Sequence, residues 1–255
     1  MSLRVDLNCD MGESFGAYTI GADGLVMPLI TSANVACGFH AGDPQVMRQT
    51  VRLAKQHGVS IGAHPGFRDL AGFGRRELKC TPDELYGDVL YQIGALAAVC
   101  RAEGVRMHHV KPHGALYNMA SVSAEMSKAI AAAVADFDPE LVLFAQPGSE
   151  LYKAGLASGL KVAGEVFGDR AYNEDGTLVS RRLPGAMIPN ESAAEAQVRQ
   201  MVMEGAVWAI TGKLVPVQAD TICVHGDNPH AVAFIKQIRE RMVSDGVQLA
   251  APFTV

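Results

Sequence analysis

The chain has no CxxC pair, no long apolar run and no phosphate-binding loop, and each absence removes a class of protein. Its five cysteines are odd in number and scattered over 255 residues. That argues against a disulfide framework or a zinc knuckle and fits a reducing cytoplasm. No apolar run approaches the roughly 18 residues of a membrane span, and the start, MSLRVDL, lacks the charged-then-apolar pattern of a signal peptide. A net charge of −5 offers no general attraction to nucleic acid or to an anionic membrane, so neither is expected as a partner. A GxxxxGKS/T loop, a strand followed by GxGxxG and a GxSxG elbow are also missing. The sequence therefore shows no recognisable nucleotide cradle of its own.

What is present is an alternation. Hydrophobic residues make up 49% and charged residues 19%, a composition suited to a globular protein with a large core. Seven short runs have strand character: RVDLNC, LITSANVAC, VSIGAH, VRMHHV, LVLFAQ, KVAGEVF and DTICVH. They are nearly continuous in apolar character, as parallel strands buried on both faces are. An eighth strand is left open, in 177–189 or 206–217. Helix signals lie between the runs. Asp43-Pro44 reads as an N-cap and first helical residue, with a stop at Gly58. Thr81-Pro82-Asp83-Glu84 is a capping box opening a helix toward Gly104. Further helices are predicted over 123–135, 149–158, 191–204 and 230–244. The expected fold is α/β, a β/α barrel forming one domain over residues 1–255. Two long connections, 11–28 and 65–80, read as lids or binding loops, and Arg75 or Arg76 of the second is expected to meet an anionic substrate or a partner.

Polar residues gather where the strand-like runs end, and in barrels of this kind that rim carries the active site. His40 and His64 follow successive strands, 24 residues apart. With Asp6 or Asp10 from the first strand they suit zinc or another divalent transition ion. In HHVKPHG (108–114), strand alternation puts His109, Lys111 and His113 on one face, and His108 reads as structural. Lys111 with His113 is positioned to stabilise an oxyanion. Glu165, inside a strand, is costly unless paired or functional, which marks it as a general base or metal-shell ligand. Arg170 suits a substrate carboxylate, although an Asp169–Arg170 structural pair is an equal reading. CVHGDNP contributes His225 and Asp227, the first being the better functional candidate. Cys9, Cys37 and Cys223 read as core thiols. The arginine-rich stretch near Arg181 and FAQPG (144–148) complete the rim.

Taken in order, DLNCDMGESFG, SANVACGFHAGDP, GAHPGFRD, VKPHGALYN and CVHGDNP resemble the LamB/YcsF family, the A subunits of bacterial 5-oxoprolinase, from Val5 to about Asp245. The resemblance implies a seven-stranded barrel related to the glycoside hydrolase/deacetylase superfamily. It further implies ATP-dependent opening of the lactam ring of 5-oxo-L-proline to L-glutamate. ATP and Mg2+ would be handled together with two allophanate-hydrolase-like partners, the B and C subunits; a homo-oligomer is also compatible. Superfamily members often hold a divalent metal through an Asp and two His, here Asp10 (or Asp6), His40 and His64, although the superfamily's Asp-Asp pair is replaced by Asn8-Cys9-Asp10. On this reading Lys111 and His113 stabilise the oxyanion and Glu165 or Asp10 activates water. Asp6, Asn8, Arg170, His225 and Asp227 contact substrate. Two rivals remain: a metal-dependent N-acetyl-sugar deacetylase needing no ATP, and a non-catalytic protein that only binds substrate within the complex.

Overall fold

A computed structural model describes residues 3–180, 183–188, 190–224 and 229–254. The seven expected strands form one closed parallel barrel. They are β1 (Arg4–Met11), β2 (Ser32–Ala36), β3 (Ser60–His64), β4 (Met107–Val110), β5 (Val142–Ala145), β6 (Lys161–Phe167) and β9 (Thr221–Val224). Each pairs with the next, and β9 closes the ring by pairing with both β6 and β1. The segment 206–217 is not an eighth barrel strand. It is an antiparallel hairpin, β7 (Ala206–Trp208) with β8 (Leu214–Pro216), standing apart from the barrel sheet. A two-residue strand, β10 (Gln248–Leu249), extends the sheet beside the start of β1.

The helices cover the outside of the barrel. Helix α2 (Pro44–His57) begins where Asp43 accepts from the backbone N–H groups of Gln45 and Val46, and it ends at Gly58. The Thr81/Glu84 capping box opens α3 (Pro82–Ala102) as expected. Helices α5 (Ala124–Phe137), α6 (Glu150–Ala157), α7 (Glu191–Glu204) and α8 (Pro229–Ser244) lie close to their predicted spans. Two further helices have no counterpart among the sequence expectations: α1 (Asp23–Val26) inside the 11–28 connection, and α4 (Gly114–Val122), concealed by the chemistry-rich HHVKPHG stretch that runs into it.

Strand period sorts the side chains into two populations. Leu7, Cys9 and Met11 of β1, with Val35, Ile61, Val110, Leu143 and Val166 of its neighbours, face outward into one large apolar cluster shared with the helices. The alternate residues face inward, and most of these are polar. Asp6 accepts hydrogen bonds from the hydroxyls of Thr31, Ser32 (2.8 Å) and Thr221 (2.6 Å). One layer higher, Asn8 donates to Thr221 (2.7 Å) and Glu165 (3.1 Å) and accepts from Asn34 (2.8 Å). His109 donates from Nε2 to Asn34 Oδ1 (2.8 Å) and stacks on Phe144. Gly62 makes this layer possible, because a Cβ there would sit 2.1 Å from the His109 ring. On the β5–β6 side the lumen holds an apolar cluster of Val142, Phe144 and Ala163.

Candidate functional site

The top layer of this lumen opens into a cavity of about 820 Å³ at the C-terminal ends of the strands. Lys111, just past β4, is 4% exposed and reaches into the barrel. Its Nζ lies 2.8 Å from Glu165, 3.1 Å from Asp10, 3.1 Å from Asn8 Oδ1 and 3.1 Å from Cys223 Sγ. Burial pulls its pKa down, but Asp10, the Cys223 sulfur and Glu165 outweigh burial and hold it well above the lysine range, so the amine stays charged. Asp10 and Lys111 line the cavity, whereas Glu165 is fully buried and lies off its wall, on the far side of the ammonium. Glu165, expected to activate water, meets Lys111 and Asn8 through Oε1, away from the cavity wall. Burial, followed by the charge of Glu165, drives the Tyr117 hydroxyl far above its usual range.

Beside this pair stands a cluster of three histidines. His64 ends β3, His113 stands at the start of α4, and His40 follows β2. His64 Nδ1 is 2.7 Å from the Lys111 carbonyl, and His113 Nε2 is 2.8 Å from the Phe73 carbonyl. Carbonyls only accept, so both of these nitrogens carry hydrogen. The other nitrogens, His64 Nε2 and His113 Nδ1, face each other at 2.9 Å. His40 stacks flat on His113 with ring centroids 3.8 Å apart, and its Nε2 lies 3.4 Å from Glu13 Oε1. Burial, reinforced by the neighbouring imidazoles, holds both His40 and His113 well below the histidine range, so both rings are neutral. Glu13, His40, His64 and His113 each offer one ligand atom, all within 4.8 Å of one another. A divalent transition ion fits this set of three imidazoles and a carboxylate.

His40 and His64 thus meet as expected, with His40 behind His113 and off the cavity wall. Asp10 touches His64 Nε2 at 3.2 Å but falls outside the four-residue group. Asp6 and Asn8, expected at the substrate, lie below the cavity in the lumen network. The three hydroxyls around Asp6 lower its pKa, yet burial outweighs them and raises it to about 6. Arg170 does line the cavity, steadied by donating to the Val179 carbonyl (2.7 Å). His225, Asp227 and Arg181 lie outside the described residues. His109, placed on the site face by alternation, is a lumen residue beneath the site and as structural as His108. Glu13 escapes sequence reasoning because it sits in the irregular 11–28 connection, three residues past Asp10; an acidic residue so close to a strand end is the available signal.

The 65–80 connection is a fixed wall of the cavity, not a free flap. Gln92 of α3 grips both backbone groups of Gly66, at 2.9 and 3.0 Å, and Asp69 is ion-paired with Arg76. Gly74, at φ +62°, lets the segment press on the histidines: a Cβ there would come within 2.8 Å of both His40 and His113. Arg75 lines the cavity above Phe73, so of the two expected arginines this one is placed for an anion.

Comparison with known proteins agrees with this architecture. The LamB/YcsF family profile matches residues 5–255. A Symbiobacterium thermophilum protein, named as the A subunit of 5-oxoprolinase, is 61% identical over 249 residues, covering 98% of this chain and 95% of that protein. The Bacillus subtilis protein of the same name is 55% identical, covering 97% and 96%. Among solved structures, a lactam utilization protein from Thermus thermophilus superposes with a TM-score of 0.93 at 49% identity, over 98% of this chain and 100% of that one. A putative cellobiose-phosphate cleavage protein from Enterococcus faecalis, with a TM-score of 0.57, 13% identity and 98% of both chains covered, shares the fold alone. On the profile match over residues 5–255 and these full-length identities, this chain belongs to the LamB/YcsF family.

Proposed function

We propose that this chain is the A component of a 5-oxoprolinase, opening the lactam of 5-oxo-L-proline to L-glutamate in an ATP-dependent reaction that needs the B and C subunits. The observation that carries the reading is the full-length identity to proteins named as 5-oxoprolinase A subunits. The geometry supports it. A lactam is a resonance-stabilised amide, and water attacks it slowly until its oxygen is activated, for instance by phosphorylation. The cavity of about 820 Å³ has room for such a derivative. Lys111, charged and aimed by Glu165 and Asn8, meets the negative charge that develops on the ring oxygen. On this reading Asp10, which lines the cavity, takes a proton from water. Arg170 answers the ring carboxylate and Arg75 a second anionic group. A zinc-class ion, when bound beside the histidines, supplies a Lewis acid and a water of lowered pKa; the remaining roles fall to the chain's own side chains. ATP and Mg2+ are assigned mainly to the partner subunits, since phosphoryl transfer requires a glycine-rich or basic cradle and the sequence has no phosphate loop of its own.

The test is a glutamate-release assay on 5-oxoproline with ATP. The purified chain alone should release little, and adding the allophanate-hydrolase-like B and C subunits should restore turnover. Full activity of the isolated chain would refute the division of labour. Deacetylation of N-acetyl sugars without ATP would replace the lactam reading altogether.

A further inference from the structure

The superfamily arrangement implies a metal held by one aspartate and two histidines. The side chains here converge differently. The rings of His64 and His113, each with its outer nitrogen committed to a backbone carbonyl, turn their remaining nitrogens toward one another at 2.9 Å. Asp10 Oδ2 approaches one of those nitrogens at 3.2 Å, and Glu13 Oε1 lies 3.6 Å from the other and 3.4 Å from His40 Nε2. Several electron-rich atoms pack around one point inside a buried wall, and lone pairs so close repel unless a cation is shared among them. In a tetrahedral zinc site with bonds of about 2.1 Å, ligand atoms stand about 3.4 Å apart. Three of the separations, 2.9, 3.4 and 3.6 Å, bracket that value, and all four atoms lie within 4.8 Å of one another.

We propose that Glu13, His40, His64 and His113 are the four ligands of a zinc-class metal ion, and that Asp10 is not a ligand. Asp10 Oδ1 accepts from Lys111 Nζ (3.1 Å) and Asn34 (2.9 Å), which holds that carboxylate on the lysine side of the cavity. The carbonyls of Lys111 and Phe73 are positioning groups, since each locks the tautomer of one imidazole and so aims its lone pair. The 65–80 wall supplies the second of these carbonyls, which gives that segment's tight packing a use. Three imidazoles with one carboxylate favour zinc, cobalt or a similar transition ion over magnesium, which prefers oxygen ligands and retained water.

This inference is independent of the substrate. It is tested on the full chain, stripped with a chelator and titrated with Zn2+, Co2+ and Mg2+ by calorimetry, with the visible absorption of bound Co2+ as a second readout. The wild type should bind one Zn2+ or Co2+ per chain in preference to Mg2+. Glu13→Gln and His113→Ala should each weaken Zn2+ binding by at least about 100-fold, more than the 10- to 100-fold typical of losing an outer partner, and should change the Co2+ spectrum. Asp10→Asn should stay within about tenfold of wild type, the lower end of that outer-partner range, and keep the spectrum. Circular dichroism checks that each variant is folded, and Glu13→Gln, being isosteric, keeps the test alive if His113→Ala unfolds. Absence of Zn2+ and Co2+ binding in the wild type overturns the proposal, as does Mg2+ binding of equal strength. Loss of metal in Asp10→Asn with retention in Glu13→Gln overturns the ligand assignment. None of these outcomes depends on lactam turnover, so the metal proposal and the functional one fail separately.

Discussion

The two faces of the same seven strands obey different rules. Outward residues such as Leu7, Val35 and Leu143 pack against helices in a continuous apolar layer. Inward residues, next to them on the same backbone, form a ladder of carboxylates, amides, hydroxyls, imidazoles and one ammonium. An apolar layer tolerates approximate shapes, since burial is nondirectional. A polar lumen does not, because each buried donor or acceptor without a partner costs about 1–3 kcal/mol. Asp6, Asn8, Asn34, Glu165 and Lys111 therefore specify one another, and the ladder delivers the two cavity groups, Asp10 and Lys111, in a set orientation. The outer layer holds the barrel together and the inner one aims the site.

The difference can be broken deliberately. Lys111→Met strips the fully buried Glu165 of its cation and should destabilise the chain by about 3–5 kcal/mol in urea unfolding. Adding Glu165→Leu should recover much of that stability while turnover of the assembled enzyme stays lost. Recovery of both together would mean that the ion pair has no chemical role. On the outer face, Leu143→Ala should cost about 2–5 kcal/mol by leaving a cavity, with the same cost throughout the neutral pH range. A pH-dependent loss would show that the two layers are coupled.

Asp6 sharpens the contrast through its titration. Its folded pKa, raised to about 6, means that the folded chain holds a proton the unfolded chain has released. The stabilisation is complete below about pH 4, the unfolded value, and is lost as pH rises through about 6. Relative to Asp6→Asn, the wild type should lose roughly 3 kcal/mol across that window, read from denaturation midpoints at each pH. A flat difference would mean that Asp6 is ionised throughout. The smallest effect concerns room in the lumen: Gly62→Ala places a methyl against the His109 ring and should cost about 1–3 kcal/mol. A neutral result would show that His109 can leave its stack on Phe144.

Much of this architecture is legible in the sequence. Asp43-Pro44 and the Thr81/Glu84 box announce their helices because capping is local chemistry between residues two or three apart. All seven barrel strands are marked by short apolar runs, and polar clusters at their ends locate the rim. Less legible are features that depend on what lies across the barrel. The hairpin at 206–217 resembles a barrel strand in composition and differs only in its pairing partner. Helix α4 is hidden because Gly114, a weak helix former, stands at its first position.

Order along the chain, cap chemistry and apolar runs were sufficient to determine an α/β barrel with its chemistry at one end, because these are properties of near neighbours in sequence. Which polar residue does what was decided only by closure of the ring. Glu165 and Lys111 are 54 positions apart and Asn8 and Thr221 are 213, and the contacts between them exist only when β9 returns to β1. Closure put Glu165 behind the lysine instead of on the cavity wall, and Asp6 beneath the site instead of in it. It also brought Glu13, from a connection with no periodicity, to three histidines delivered by three different strands.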